Sequence, residues 1–256
     1  MNNWQRLLEI IARLRDPITG CPWDLKQTSQ SLIPNFIEEL HEAVEAIEED
    51  DSDSLREELG DLLLHIVFQA QIATEEGRFT IDEVLQHIVE KLIRRHPHVF
   101  VEYQNLDANG VKMNWERLKK AEKTERISVL EGIPRSMPGL IYAQRTQEKA
   151  ASVGFDWPDI QPVLAKMVEE EAELHEALAS ENMEHIREEL GDMLFTLVNL
   201  ARKLQIDAEG ALKETTRKFT KRFNYIEDHY RQNGEDIHEA TLEELDALWD
   251  LAKKDQ

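Results

Sequence analysis

A chain of 256 residues has length for one large domain or two ordinary ones, and 41% hydrophobic and 32% charged residues with only ten Gly and eight Pro suit a helix-rich globular protein. Its 30 basic and 52 acidic residues leave a formal charge of −22, which repels polymeric nucleic acid but admits a small phosphorylated ligand whose cation reverses the local field. No apolar run reaches the ~18 residues of a membrane span, and the lone Cys21 allows no intrachain disulfide and suits a reducing cytoplasm.

In chain order, the periodicity predicts helices over 2–15, 33–50, 53–76, 81–96 and 111–125. It predicts further helices over 138–151, 161–179, 181–204, 207–231 and 241–254. Met1 to Arg15 reads as an amphipathic helix rather than a leader, because Trp4, Leu7, Leu8 and Ile11 alternate with Arg6, Glu9 and Arg13. Thr80 with Glu83, and Thr241 with Glu244, form capping-box patterns. Pro34 suits a first helical turn, Gly77 a C-terminal cap, and His96-Pro97-His98 a helix end. No stretch alternates long enough to argue a strand, so the expected class is all-α.

Within this string of helices lies an internal repeat. Arg56-Glu57-Glu58-Leu59-Gly60-Asp61 returns letter for letter as Arg187-Glu188-Glu189-Leu190-Gly191-Asp192, 131 positions on. The same offset carries Glu38, Glu39, Glu42 and Glu45 onto Glu169, Glu170, Glu173 and Glu176. Trp23-Asp24 answers Phe155-Asp156, Lys91 and Arg95 answer Lys218 and Arg222, and Trp115 with Lys119-Lys120 answers Trp249 with Lys253-Lys254. The expectation is two tandem copies of an antiparallel helical-bundle unit, 1–125 and 138–256. The linker over 126–137 is marked by Gly132, Pro134 and Ser136.

Each copy carries Glu-x-x-Glu on one helix (Glu39, Glu42; Glu170, Glu173) and Glu-x-x-Asp on the next (Glu58, Asp61; Glu189, Asp192). Residues three apart share a helix face, and a short turn between two helices makes them antiparallel neighbours. Four converging carboxylates repel one another unless a cation sits between them. The Glu58/Asp61 face runs on through His65, Phe68 and Ile72, so it points inward. Gly60 and Gly191 lie inside helices at a cost of about 1 kcal/mol relative to Ala, which close approach of a partner helix would explain. Oxygen donors without Cys or repeated His select a hard cation such as Mg²⁺. Exposed, solvated acids are the bland explanation; two complete tetrads with the same 16-residue gap, Glu42 to Glu58 and Glu173 to Glu189, weigh against it.

Lys218 and Arg222, four apart and flanked by Arg217 and Lys221, supply charge for phosphate oxygens. A solvated face pairing with Glu214 or Asp228 explains them equally well. Trp115 and Trp249 could stack on a base or simply fill core. His65 and His41 face Thr196 and Ala172 in the second copy, so no common site needs them. The chain has no phosphate-binding loop of the G-x-x-x-x-G-K-[S/T] kind.

These letters resemble the MazG family of nucleoside triphosphate pyrophosphohydrolases, of the all-α NTP pyrophosphatase group, over essentially the whole chain. The carriers are Leu14-Arg15-Asp16-Pro17, Gly20-Cys21-Pro22-Trp23-Asp24, Glu38-Glu39-x-x-Glu42 and Glu58-Leu59-Gly60-Asp61, followed by Arg94-Arg95-His96-Pro97-His98-Val99-Phe100, Ile133-Pro134-Arg135-Ser136 and Val153-Gly154-Phe155-Asp156-Trp157. The resemblance implies that Mg²⁺, or Mn²⁺ in its place, is held by Glu170, Glu173, Glu189 and Asp192, with Glu169 assisting. A water oriented there would attack the α-phosphorus of a triphosphate such as ATP, and pyrophosphate would leave. Lys218 and Arg222 would meet the phosphates and Trp249 the nucleotide. Glu39, Glu42, Glu58 and Asp61 are the first-copy equivalents. A homodimer closing the site is implied as well, and the second copy is expected to be the main catalytic one. Two other readings stay open: an enzyme confined to dUTP or a non-standard nucleotide, and a non-enzymatic acidic helical interaction module.

Overall fold

The computed structural model describes residues 2–101, 107, 110–111 and 128–254 of the protein, and every regular element among them is helical. The all-α expectation holds. Contacts within the chain divide it into two compact units, Met1–Thr124 and Glu125–Gln256. No helix among the described residues is long and apolar enough to cross a membrane.

The first unit runs α1 (Asn3–Leu14), α2 (Pro22–Lys26), α3 (Ile33–Glu48), α4 (Ser52–Glu75), α5 (Ile81–Arg95) and α6 (Pro97–Phe100). Its centre is the α3–α4 hairpin, with α1 and α5 packed on α4. Between the two helices Asp50 turns the chain in the left-handed region (φ 55), and the Asp51 carboxylate then accepts from the backbone N–H groups of Asp53 and Ser54 to start α4. Ile11 of α1 meets Leu32, Val67, Phe68 and Ile72 in the buried core. Arg15 ties the end of α2 to α4: its guanidinium pairs with Glu75 at 2.6 Å, donates to the carbonyls of Asp24 and Gln27, and lies over the Phe68 ring. α5 begins in the Thr80/Glu83 capping box and ends at Arg95, where Pro97 cannot continue its hydrogen-bond ladder.

The second unit repeats this plan. It runs α7 (Gly139–Ala151), α8 (Gln161–Ser180), α9 (Met183–Lys203), α10 (Ala208–Asn233), a 3-10 turn (Ile237–Glu239) and α11 (Leu242–Lys254). The α8–α9 hairpin turns at Glu181, again left-handed (φ 55), and Asn182 caps α9 through the N–H groups of Glu184 and His185. Both turn positions obey the 131-residue offset. α7 packs on α9 and α10, and Gln147 donates to the Phe195 carbonyl at 2.8 Å. Asp156 pairs with Arg202 at 2.6 Å and Lys203 at 2.8 Å, anchoring the loop before α8 to the end of α9. The hydrogen bond from Arg202 chiefly holds that carboxyl down, at about 2.

The structure departs from expectation in two places. α2, α6 and the 3-10 turn are too short to show a 3.6-residue period, and none is predicted from sequence. A Cβ added at Gly60 or Gly191 would meet nothing within 4 Å, so close approach within the described residues does not explain either glycine. Beyond Val111, the helix expected over 111–125, with Trp115, Lys119 and Lys120, lies outside the described residues.

Candidate metal centre and phosphate-binding helix

Each hairpin brings three of its four predicted carboxylates together. In the first unit, oxygens of Glu39 on α3 and of Glu58 and Asp61 on α4 lie within 4.8 Å of one another. Glu42 is exposed and falls outside that trio, although its charge acts on both Glu39 and Glu58. In the second unit the trio is Glu170 and Glu173 on α8 with Glu189 on α9, and the exposed Asp192 stands apart. Thus the facing pairs do converge, each lacking one member.

The electrostatics of the two trios differ. Burial, followed by the charges of Asp61, Glu42 and Glu58, pushes the Glu39 carboxyl up to about 7, and a hydrogen bond with Glu58 keeps the proton on Glu39. Glu58 is raised as well, by burial first and then by Glu42. Among the described residues, the charges that act on Glu39 and Glu58 are all negative. Behind it, His65 is 8% exposed, stacks obliquely on Phe36, and leaves Nδ1 without a hydrogen-bond partner.

In the second unit the Lys166 ammonium sits among the acids, 2.7 Å from Glu169 Oε1, 2.8 Å from Glu170 Oε1 and 3.9 Å from Glu173 Oε2. Hydrogen bonds to Glu169 and then Glu170 hold its pKa well above the usual lysine value. Burial still raises Glu173. Across the hairpin, His185 Nε2 lies 3.1 Å from Glu189 Oε1. Sequence reasoning missed both Lys166 and His185. Each stands four residues before its carboxylate on the same helix face, a spacing that could have found them.

Glu170 tests whether a metal fits. It is 3% exposed, and its Oε2 has no hydrogen-bond partner. A buried carboxylate oxygen left bare is costly unless something else meets it. Two further carboxylates within reach and an all-oxygen donor set match a hard divalent cation.

The basic pairs separate as well. Lys218 is exposed and Arg222 half-buried on the 26-residue α10. Arg222 lies 5.6 Å from the centre of the half-buried Trp249 ring of α11, which also meets Phe219 at 5.0 Å. In the first unit, Lys91 is half-buried and Arg95 is buried at 7% exposure, engaged where it sits.

The family model for the MazG nucleotide pyrophosphohydrolase domain matches residues 27–100 and 159–226, one segment in each unit. The chain is 43% identical over its full length to the nucleoside triphosphate pyrophosphohydrolase of Escherichia coli K12, covering 99% of that protein. It is 46% identical over 98% of its length to the nucleoside triphosphate pyrophosphohydrolase/pyrophosphatase MazG of Thermotoga maritima, covering 95% of that protein. The chain belongs to the MazG family.

Proposed function

We propose that the chain hydrolyses nucleoside triphosphates to the monophosphate and pyrophosphate in the presence of Mg²⁺, chiefly in its second copy. The observation that carries this reading is the bare, buried Oε2 of Glu170 inside a trio of carboxylates. Glu170, Glu173 and Glu189 would hold the cation, with Asp192 completing the set from the next turn of α9 and Glu169 assisting. When bound, Mg²⁺ supplies Lewis-acid charge to the phosphate oxygens. Water adds its oxygen to the α-phosphorus, the bond from that phosphorus to the α–β bridging oxygen breaks, and a carboxylate of the set takes the proton. Lys218 and Arg222 neutralise the triphosphate, and Trp249 offers a ring face to the base. No covalent nucleophile is required, since displacement at phosphorus depends mainly on positioning and charge.

Residues 1–125 form the accessory copy in this reading and 126–137 the linker to 138–256, with Glu39, Glu42, Glu58 and Asp61 as a second cation site. The protein acts as a cytoplasmic homodimer. Support comes from apolar stripes left exposed at equivalent places, Leu59, Leu63 and Ile66 on α4 and Leu190, Leu194 and Leu197 on α9. The decisive experiment incubates a panel of NTPs and dNTPs, dUTP included, with protein and Mg²⁺ and identifies the products. Monophosphate with pyrophosphate is expected; diphosphate with orthophosphate refutes the cleavage position, and turnover of dUTP alone narrows the substrate. Activity should vanish with EDTA and return with Mg²⁺ or Mn²⁺.

A further inference from the structure

The second copy already contains a cation of its own. The Lys166 ammonium bridges Glu169 and Glu170 and stands 3.9 Å from Glu173, so it contacts two members of the metal trio. Position 35, its counterpart in the first copy, is Asn. The side chain is about one-third exposed, and its long stem reaches the acids from the preceding turn of α8. A divalent ion entering here meets carboxylates that are already partly neutralised and a positive charge at close range. Glu170 Oε2 stays bare even so, because the ammonium pairs only with Oε1. One oxygen of the buried acid is engaged by the tether and the other is left for a visitor.

We propose that Lys166 is a displaceable internal counter-ion that weakens the second cluster for free divalent cations, so that the metal enters this site as its complex with the triphosphate. The inference rests on the function proposed above. A metal–triphosphate complex carries net negative charge, so it meets the ammonium as an attraction where the bare ion meets a repulsion. The first cluster, with Asn35 in the matching place, lacks this gate and takes the free ion more readily.

Mn²⁺ binding, read by electron paramagnetic resonance of the free ion without nucleotide, tests the idea in the full chain. The second cluster is isolated by Glu58→Gln with Asp61→Asn, and Lys166→Asn or Lys166→Met is then added. Either change is expected to tighten Mn²⁺ binding about tenfold; an unchanged or weaker affinity overturns the proposal. In the reciprocal arm, with Glu173→Gln and Asp192→Asn silencing the second cluster, Asn35→Lys should weaken Mn²⁺ binding about tenfold. No change there overturns it too. Helicity by circular dichroism confirms that each variant folds. Because the titration contains no nucleotide, failure here leaves pyrophosphate release by the unmodified protein as the separate test of function.

Discussion

The two acidic trios occupy equivalent hairpins, yet one stores its excess charge as a proton and the other as a lysine. On α3 and α4, burial and then the neighbouring carboxylates hold a proton on Glu39 up to about pH 7. On α8 and α9, Lys166 and His185 stand beside the acids instead. The six-residue repeat Arg-Glu-Glu-Leu-Gly-Asp is the same in both, so the ligand set alone does not determine the electrostatics. The neighbours one turn away differ as well, Asn35 against Lys166 and Ser54 against His185. The phosphate side diverges likewise, with Arg95 buried and Lys218 exposed.

The largest expected effect breaks the comparison at its centre. Glu189→Gln should lower kcat for NTPs at least ~100-fold, since each ~1.4 kcal/mol of lost transition-state stabilisation is tenfold. Glu58→Gln, which alters the matching place, should cost far less; equal losses in steady-state kinetics would show that both copies turn over. Next, Lys218→Ala should raise KM about tenfold with little change in kcat, the scale of one charge-assisted hydrogen bond. Lys91→Ala should leave KM unchanged, and a matching rise there would give the first copy a substrate role.

Smaller effects sharpen the same contrast. A cation at a hundred times its dissociation constant adds about 2.7 kcal/mol, so saturating Mg²⁺ should raise Tm by roughly 5–10 °C. The double variant Asp61→Asn, Asp192→Asn should lose most of that rise in a thermal melt; an undiminished rise would place the ion elsewhere. The smallest effect belongs to Glu39. A carboxyl whose folded pKa is raised favours folding at low pH, and this contribution disappears as pH climbs from about 4.5 to about 7. With EDTA present, the Tm difference between Glu39→Gln and the unmodified protein should therefore move in favour of the variant across that interval. A difference that stays constant with pH would mean that Glu39 titrates normally.

Much of this molecule is legible in its letters, for identifiable reasons. Long amphipathic stretches and capping boxes act locally, so α4, α9 and the Thr80/Glu83 start of α5 follow from spacing alone. The convergence of Glu39 with Glu58 and Asp61 follows from a short turn between two helices. Asp192 and Glu42 fall outside the trios, whereas Glu58 with Asp61 and Glu170 with Glu173, at the same three-residue spacing, stay together, so spacing alone does not decide which acid turns to solvent. Arg95 shares its pattern with Arg222, but its burial depends on tertiary packing that no local spacing encodes. Lys166 is hidden for a different reason: among so many acids, a lysine near a glutamate reads as ordinary surface pairing.

Gly60 and Gly191 leave open space on each acid-bearing helix, with no described atom within 4 Å of where a methyl would stand. Such gaps serve as paired proximity gauges. An added methyl there gains about 1 kcal/mol of helix propensity and meets no described neighbour. Gly60→Ala and Gly191→Ala should thus stabilise a chain that stands alone. A loss at either position measures what another molecule brings up against that helix, and comparing the two positions shows which of them it touches.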